Sequence, residues 1–155
     1  MASILIIDDE VAIATAFAMF FRHDGQHTVA EAYTGADGIA AFERLRPDLV
    51  LLDVRLPDMT GFDVLAAIRE HNPVVVMVTA YGDVPMAVDA LHKGAENFLT
   101  KPVDLSHLKA AAERALEKAQ LRRLSRWLSD KRGAEKGLVF GSTPPMRELQ
   151  AQLQL

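Results

Sequence analysis

Residues 3–10, SILIIDDE, form an unbroken apolar run that ends in three acidic side chains. A strand with one face in water alternates apolar and polar residues, whereas a continuous run is typical of a strand covered on both faces. Residues 49–53, LVLLD, have the same pattern. We therefore expect two buried parallel strands, each of which delivers a carboxylate at its end.

Short apolar runs occur five times, at residues 3–7, 28–32, 48–52, 74–78 and 97–99. Each run is followed by a segment with helical periodicity; in the second, Ile39, Phe42 and Leu45 share one face. Helix starts are indicated by Thr34 before Asp37, by Thr60 before Asp63, and by Asp83 before Pro85. The alternation predicts an α/β fold with a doubly wound, five-stranded parallel sheet of the flavodoxin-like (βα)5 type.

The predicted domain covers residues 1–118, but its last helix continues. A stripe that can pack on the sheet contains Leu105, Leu108, Ala112, Ala115 and Ala119. Beyond it, apolar residues recur at helical spacing as Leu121, Leu124 and Leu128, and three leucines fit either a dimer contact or a solvated helix. We expect an extended linker helix over 119–133, ending at Gly133, and the start of a further module over 134–155.

Composition excludes several classes of protein. The chain has 155 residues, 50% hydrophobic and 25% charged, which is typical of a globular domain. It has no cysteine, so disulfide scaffolds and thiolate chemistry are excluded. No apolar run approaches the roughly 20 residues that a membrane span needs. The net charge is −4, and the excess of acidic residues lies in residues 1–104. This acidic part of the chain is therefore a poor surface for binding nucleic acid. We expect a cytoplasmic protein with no membrane contact and no direct DNA binding by this fragment.

Chemistry-bearing residues follow four of the predicted strands. Asp8 and Asp9 follow the first, Asp53 follows the third, Thr79 ends the fourth and Lys101 follows the fifth. In a parallel sheet these ends share one rim, where crowded carboxylates need a cation, and hard oxygen ligands suit Mg²⁺. Asp53 is then a candidate carboxylate nucleophile, with Lys101 and Thr79 offsetting phosphoryl charge. Taken singly, each residue also fits a helix cap, a loop start or a surface charge.

These residues resemble the receiver domain of bacterial two-component response regulators, the CheY-like family. The resemblance rests on segments 5–10, 51–58, 78–82 and 94–102 and covers residues 3–118. It implies that Asp53 accepts a phosphoryl group from a sensor histidine kinase. It also implies that Mg²⁺ is bound directly by Asp9 and Asp53, through water by Asp8, and by the Arg55 carbonyl.

The same resemblance assigns roles at the other strand ends. Thr79 and Phe98 correspond to the switch pair, although Phe98 also fits plain core packing. Lys101 corresponds to the phosphate-binding lysine, and a cis peptide bond is expected between Lys101 and Pro102. The resemblance implies a phosphoacceptor with self-catalysed transfer and slow autodephosphorylation, not an enzyme with turnover.

The tail carries a second resemblance, to NtrC-like sigma-54-dependent transcription activators, through segments 82–88 and 138–149. It implies a downstream AAA+ ATPase module, of which this chain holds only the start, since the Walker loop is absent. Phosphorylation would then change homodimer contacts of the fourth and fifth helices and of the linker helix. Whether that represses or activates the ATPase stays open.

Three other interpretations fit parts of the sequence. A flavodoxin-type cofactor binder would need a phosphate loop after the first strand, where acids stand instead. An aspartyl phosphohydrolase would need a second Asp close behind the nucleophile and a cap for substrate. A phosphorylation-independent dimerisation or interaction module is the remaining alternative.

Overall fold

The computed structural model describes the backbone of residues 2–139 and the side chains of residues 2–129. The chain divides into two units, residues 1–119 and residues 120–155. Strands and helices alternate along it, with one short 3₁₀ helix after α3. The elements are β1 Ser3–Ile7, α1 Val11–Asp24, β2 Thr28–Ala32, α2 Gly35–Leu45, β3 Leu49–Leu52, α3 Gly61–Ile68, 3₁₀ Arg69–His71, β4 Val75–Thr79, α4 Val84–His92, β5 Asn97–Thr100 and α5 Leu105–Val139.

The five strands form one parallel sheet in the order β2-β1-β3-β4-β5. β1 lies inside the sheet, with Leu5 opposite Ala30 of β2 on one side and opposite Val50 of β3 on the other. The predicted doubly wound, five-stranded fold is thus confirmed. Strand limits differ from the sequence expectation by one residue at most, since β4 extends to Thr79 and β5 to Thr100.

Two apolar layers cover the sheet, one on each face. Ile4 and Ile6 point to the layer of α1 and α5, where Phe17 and Leu108 are buried. Leu5 and Ile7 point to the opposite layer, which α2, α3 and α4 form. Alternate residues of one strand therefore face different layers, and both layers are apolar. This explains why the strand sequences are continuous apolar runs.

Short-range side-chain bonds fix the starts of three helices as predicted. Thr34 Oγ1 accepts from the Asp37 amide at 3.1 Å, at the start of α2. Thr60 and Asp63 form a complete capping box at α3. Asp83 accepts from the Met86 amide at 2.9 Å, and Pro85 lies in the first turn of α4. Each bond satisfies a backbone donor that the helix itself leaves unpaired.

Three details differ from the sequence expectation. Leu45 and Leu105 are 44% and 45% exposed, because each lies in a terminal turn of its helix, beyond the part packed on the sheet. α5 does not end at Gly133 but continues to Val139. One glycine lowers helix propensity by only about 1 kcal/mol, and no proline follows before Pro144. The segment 140–155, which includes most of the expected start of a further module, lies outside the described residues.

None of the helices in the described part of the chain is long and apolar enough to cross a membrane.

A matched pair of leucines tests the packing of α5. Leu108 is fully buried and Leu105 is 45% exposed on the same helix. We expect Leu108→Ala to lower the free energy of unfolding by about 2–4 kcal/mol, because it leaves a cavity in the layer beneath the sheet. Leu105→Ala should cost less than about 1 kcal/mol, since its surface is already half hydrated. Urea unfolding followed by circular dichroism measures both, and equal losses would contradict the packing described.

Candidate functional site

The carboxyl ends of the strands bring four polar side chains to one rim. Asp8 follows β1, Asp53 follows β3, Thr79 ends β4 and Lys101 follows β5. Backbone hydrogen bonds continue the sheet pattern here, from the Asp53 amide to the Ile7 carbonyl at 2.9 Å and from the Lys101 amide to the Thr79 carbonyl at 2.8 Å. The rim is therefore as firmly held as the sheet itself.

The Lys101 ammonium lies among three carboxylates. Its Nζ donates to Asp8 Oδ2 at 2.6 Å, to Asp53 Oδ2 at 3.1 Å and to Glu10 Oε1 at 3.2 Å. The side chains of Lys101, Asp8 and Asp53 are 7%, 4% and 4% exposed. Two buried carboxylates thus share one buried cation, and the peptide bond from Lys101 to Pro102 is cis.

Burial sets the ionisation of this cluster. It raises the pKa of Asp8 to about 6, and the nearby Asp53 carboxylate adds to the rise, although hydrogen bonds from Lys101 and from the Glu10 amide oppose it. Burial alone would lower the pKa of Lys101, but its bonds to Asp8 and Asp53 outweigh burial and raise it. Lys101 therefore stays charged at neutral pH, while the surplus of negative charge makes the site receptive to a second cation.

Carboxylate oxygens of Asp8, Glu10 and Asp53 lie within 4.8 Å of one another. This is the one cluster of metal-ligating side chains that we find among the described residues. Hard carboxylate oxygens beside a solvent-facing edge are a donor set that fits Mg²⁺. The Asp9 carboxylate is not part of this cluster, so Asp9 and the Arg55 carbonyl remain predicted ligands. Sequence reasoning did not select Glu10, two residues after Asp8.

The β3–α3 loop, residues 53–60, holds Asp53 closely. The Arg55 amide donates to Asp53 Oδ1 at 3.3 Å, and the Gly61 amide donates to the Val54 carbonyl at 2.6 Å. A Cβ atom at Gly61 would lie 2.2 Å from the Asp53 carbonyl oxygen, which is closer than atoms can approach. Only glycine fits there, and this contact fixes where the backbone of Asp53 lies.

The predicted switch residues lie on the neighbouring strands. Thr79 is fully buried, and its Oγ1 accepts from the Tyr81 amide at 3.2 Å. The Arg55 guanidinium lies 3.9 Å from the centre of the Tyr81 ring, so two loops of the rim meet above the site. Phe98 packs against the layer of α2, α3 and α4, and a Cβ at Gly82 would lie 2.6 Å from its ring. That Thr79 and Phe98 move when Asp53 is phosphorylated remains a prediction.

The helix that follows the acidic residues does not use them as caps. α1 begins after Glu10, with no side-chain hydrogen bond to its first turn. Asp8 Oδ1 accepts from the Glu10 amide at 2.9 Å, and its other oxygen binds Lys101. Capping of α1 therefore does not account for the acids at the end of β1.

Comparisons with known proteins agree on one family. The family model described as the response regulator receiver domain matches residues 4–113. Regulatory protein LuxO of Vibrio cholerae is 48% identical over 88 residues, which are 56% of this chain and 19% of LuxO. Transcriptional regulatory protein ZraR of Salmonella typhimurium is 37% identical over 148 residues, 94% of this chain and 33% of ZraR.

Among solved structures, NtrX from Brucella abortus in complex with ADP matches with a TM-score of 0.75 at 33% identity. The match covers 97% of this chain and 34% of NtrX. The chain thus spans no more than about a third of the length of these relatives.

The charge balance of the cluster predicts an unusual response to Asp8→Asn. The folded protein holds the Asp8 carboxyl with a pKa of about 6 against an ordinary value of 3.8, so its ionisation opposes folding as the pH rises. In the variant, Lys101 still donates to the carboxylates of Asp53 and Glu10. In metal-free buffer at pH 7.5 we expect Asp8→Asn to raise the free energy of unfolding by about 1–3 kcal/mol.

The pH dependence supplies the control. The advantage of Asp8→Asn should shrink as the pH falls through about 6, because the wild-type carboxyl then takes up its proton. Glu10→Gln is the matched variant, since its side chain is 53% exposed, and it should change stability by less than about 1 kcal/mol. Chemical unfolding at several pH values measures both, and a destabilised Asp8→Asn protein at pH 7.5 would contradict the charge argument.

Proposed function

This chain belongs to the response regulator receiver domain family, and we propose that it is the phosphoryl-accepting switch of a longer two-component transcription regulator. Asp53 is the acceptor and a sensor histidine kinase is the donor. The observation that carries the proposal is the buried Lys101 ammonium, which binds Asp8 and Asp53 together. A structural ion pair needs one carboxylate, whereas a surplus of buried carboxylates favours a further cation, which could in turn offset the charge of a phosphoryl group.

The chemistry is a transfer between two protein side chains. A carboxylate oxygen of Asp53 attacks the phosphorus of the kinase's phosphohistidine, forming a P–O bond as the P–N bond breaks. The leaving imidazole keeps the electron pair and takes a proton from solvent. Lys101, within reach of Asp53 at 3.1 Å, supplies positive charge to the transferred group.

A bound Mg²⁺ would offset negative charge on the phosphoryl oxygens. The residues that would hold it are Asp8, Asp53, the neighbouring acids Asp9 and Glu10, and the Arg55 carbonyl. The chain's own groups do the rest: the Gly61 contact fixes the backbone of Asp53, and the Arg55 amide orients its carboxylate. Hydrolysis of the acyl phosphate returns Asp53 slowly to its free form, so the protein is a switch rather than an enzyme with turnover.

The readout starts at Thr79. The oxygen of the Thr79 hydroxyl accepts a hydrogen bond from the Tyr81 amide, which does not use the hydroxyl's own proton; a phosphoryl group on Asp53 would give that O–H a charged acceptor. Thr79 moves toward the site, and Phe98, packed against Gly82 of the same loop, turns inward behind it. This rearranges the start of α4, which has few buried residues of its own; Ala90 is its one fully buried side chain.

The α4–β5–α5 face would then be the surface of a homodimer. α4 exposes Val84, Val88 and Leu91, at 76%, 46% and 47%. A groove of 310 Å³ beside them is lined by residues of α4, β5 and α5, namely Leu91, Glu96, Asn97, Ala111 and Arg114. These exposed apolar side chains lie on α4, the helix that the movement of Thr79 and Phe98 rearranges. Their position favours an association of two chains that depends on phosphorylation.

The linker helix extends the dimer contact. Leu121 and Leu124 are 59% and 52% exposed, and Leu128 follows at the same helical spacing. We assign residues 1–118 to the receiver domain, 119–133 to this linker and 134–155 to the start of an AAA+ module, as resemblance to sigma-54-dependent activators implies. The NtrX relative was solved in complex with ADP, which supports a nucleotide-binding module in the parent protein.

Phosphorylation of Asp53 is tested with a small acyl phosphate and Mg²⁺. We expect the wild-type protein to gain the mass of one phosphoryl group, and Asp53→Asn or a chelator to abolish the gain, because both the nucleophile and the cation are needed. Asp37→Asn, an exposed acid on α2, is the matched control and should be phosphorylated normally. Intact mass spectrometry measures this, and a gain that survives Asp53→Asn would refute the assignment.

Association is tested on the same samples by analytical ultracentrifugation. We expect phosphorylation to strengthen the dimer and Leu124→Lys to weaken it by at least about tenfold, since a charge then replaces a buried leucine in the contact. Ser125→Lys, one position away from the leucine stripe, should have little effect. Dimerisation that is unchanged by phosphorylation would favour the alternative, a phosphorylation-independent interaction module.

A further inference from the structure

An exposed acid, Asp58, connects the loop that carries Asp53 to a different part of the fold. It lies in the β3–α3 loop, and its Oδ1 accepts from the Gly35 amide at 2.8 Å and its Oδ2 from the Ala36 amide at 2.9 Å. These amides belong to the first turn of α2. The two bonds lower the pKa of Asp58, so the carboxylate is ionised at neutral pH and the bonds are charge-assisted.

A second contact joins the same two segments. The Met59 side chain lies directly over Gly35, where a Cβ would be 2.3 Å from Met59 Cγ. The loop therefore rests on the first turn of α2 through one polar and one apolar contact. α2 is itself fixed by the burial of Phe42 and Ala41 and by its own cap at Thr34.

Two further backbone contacts join residues of the loop to one another. The Leu56 amide donates to the Met59 carbonyl at 3.2 Å, and Arg55 pairs with Thr60 as an isolated antiparallel bridge. These bonds keep the loop's shape but do not set where its tip lies relative to the sheet. At the start of the loop, the Arg55 amide donates to Asp53 Oδ1 over 3.3 Å. This is a long hydrogen bond, and a small shift of the loop would break it.

We propose that Asp58 is a positioning residue for phosphoryl transfer: by holding the β3–α3 loop on α2, it keeps the Arg55 amide directed at the Asp53 carboxylate. The inference rests on the proposed function of Asp53. It gives Asp58, which neither touches Asp53 nor belongs to the carboxylate cluster, a role in the reaction rate.

The test needs a variant that weakens α2 without touching the loop. Thr34→Ala provides it, because Thr34 caps α2 from within, through the Asp37 amide. Asp58→Ala removes both loop bonds, and Asp58→Asn keeps one acceptor oxygen. Thermal unfolding first establishes that all three variants fold, and Asp58→Asn carries the test if Asp58→Ala does not.

Amide hydrogen exchange of the metal-free protein reports on the loop itself. We expect the Arg55 and Leu56 amides to exchange about tenfold faster in Asp58→Ala, less so in Asp58→Asn, and within about twofold of wild type in Thr34→Ala. Equal acceleration in Thr34→Ala and Asp58→Ala would mean that Asp58 acts only as a cap of α2, and would overturn the proposal.

The phosphorylation rate with acyl phosphate and Mg²⁺ reports on the consequence. Asp58→Ala should be phosphorylated about tenfold more slowly, with a partial loss in Asp58→Asn and a change within about twofold in Thr34→Ala. A normal rate in Asp58→Ala, or an equal loss in Thr34→Ala, overturns the positioning role. Failure of the wild-type protein to be phosphorylated is a different result, because it refutes the proposed function and leaves the exchange experiment to decide whether Asp58 holds the loop.

Discussion

Two buried carboxylates cannot sit side by side in a low-dielectric rim unless something neutralises them, and here Lys101 does so. Its ammonium lies 2.6 Å from Asp8 and 3.1 Å from Asp53, and these contacts join the ends of β1 and β3 to the segment that follows β5. One cation for three carboxylates leaves the rim negative overall. Burial is the largest cause of the raised pKa of Asp8, and the nearby Asp53 carboxylate adds to the rise. The surplus of negative charge makes the rim receptive to a divalent cation.

The fold makes this imbalance tolerable. Asp8 and Asp53 follow β1 and β3, whose residues are almost all buried, so the core resists a movement that would separate the two carboxylates. The loop after β3 is held at two points, at Gly61 by a contact that excludes a side chain and at Asp58 by hydrogen bonds from the first turn of α2. The buried core therefore holds these like charges close together, and a bound cation would relieve their repulsion.

Local chemistry made most of this architecture predictable from sequence. The continuous apolar runs identified the parallel strands, and the acids, hydroxyl and lysine directly behind them located Asp8, Asp53, Thr79 and Lys101 at one rim.

Features that depend on distant partners were not predictable in this way. Asp58 gains its meaning only when the loop folds onto α2, 22 to 23 residues earlier in the chain. Glu10, rather than Asp9, enters the carboxylate cluster, a difference between neighbouring acids that the sequence pattern does not distinguish. Leu105 and Leu45 fit the spacing of buried residues but are about half exposed, because spacing alone does not show where a helix stops contacting the sheet.

We propose that Lys101, held between two buried carboxylates, is placed to meet a phosphoryl group on Asp53. The most direct measurement is a crystal structure of the protein with Mg²⁺ and the phosphoryl mimic beryllium trifluoride. We expect the mimic on a carboxylate oxygen of Asp53, with Lys101 Nζ and the Thr79 hydroxyl both within hydrogen-bond distance of its fluorines. A mimic bound elsewhere, or a Lys101 that still bridges Asp8 and Asp53 while Asp53 stays unmodified, would contradict it.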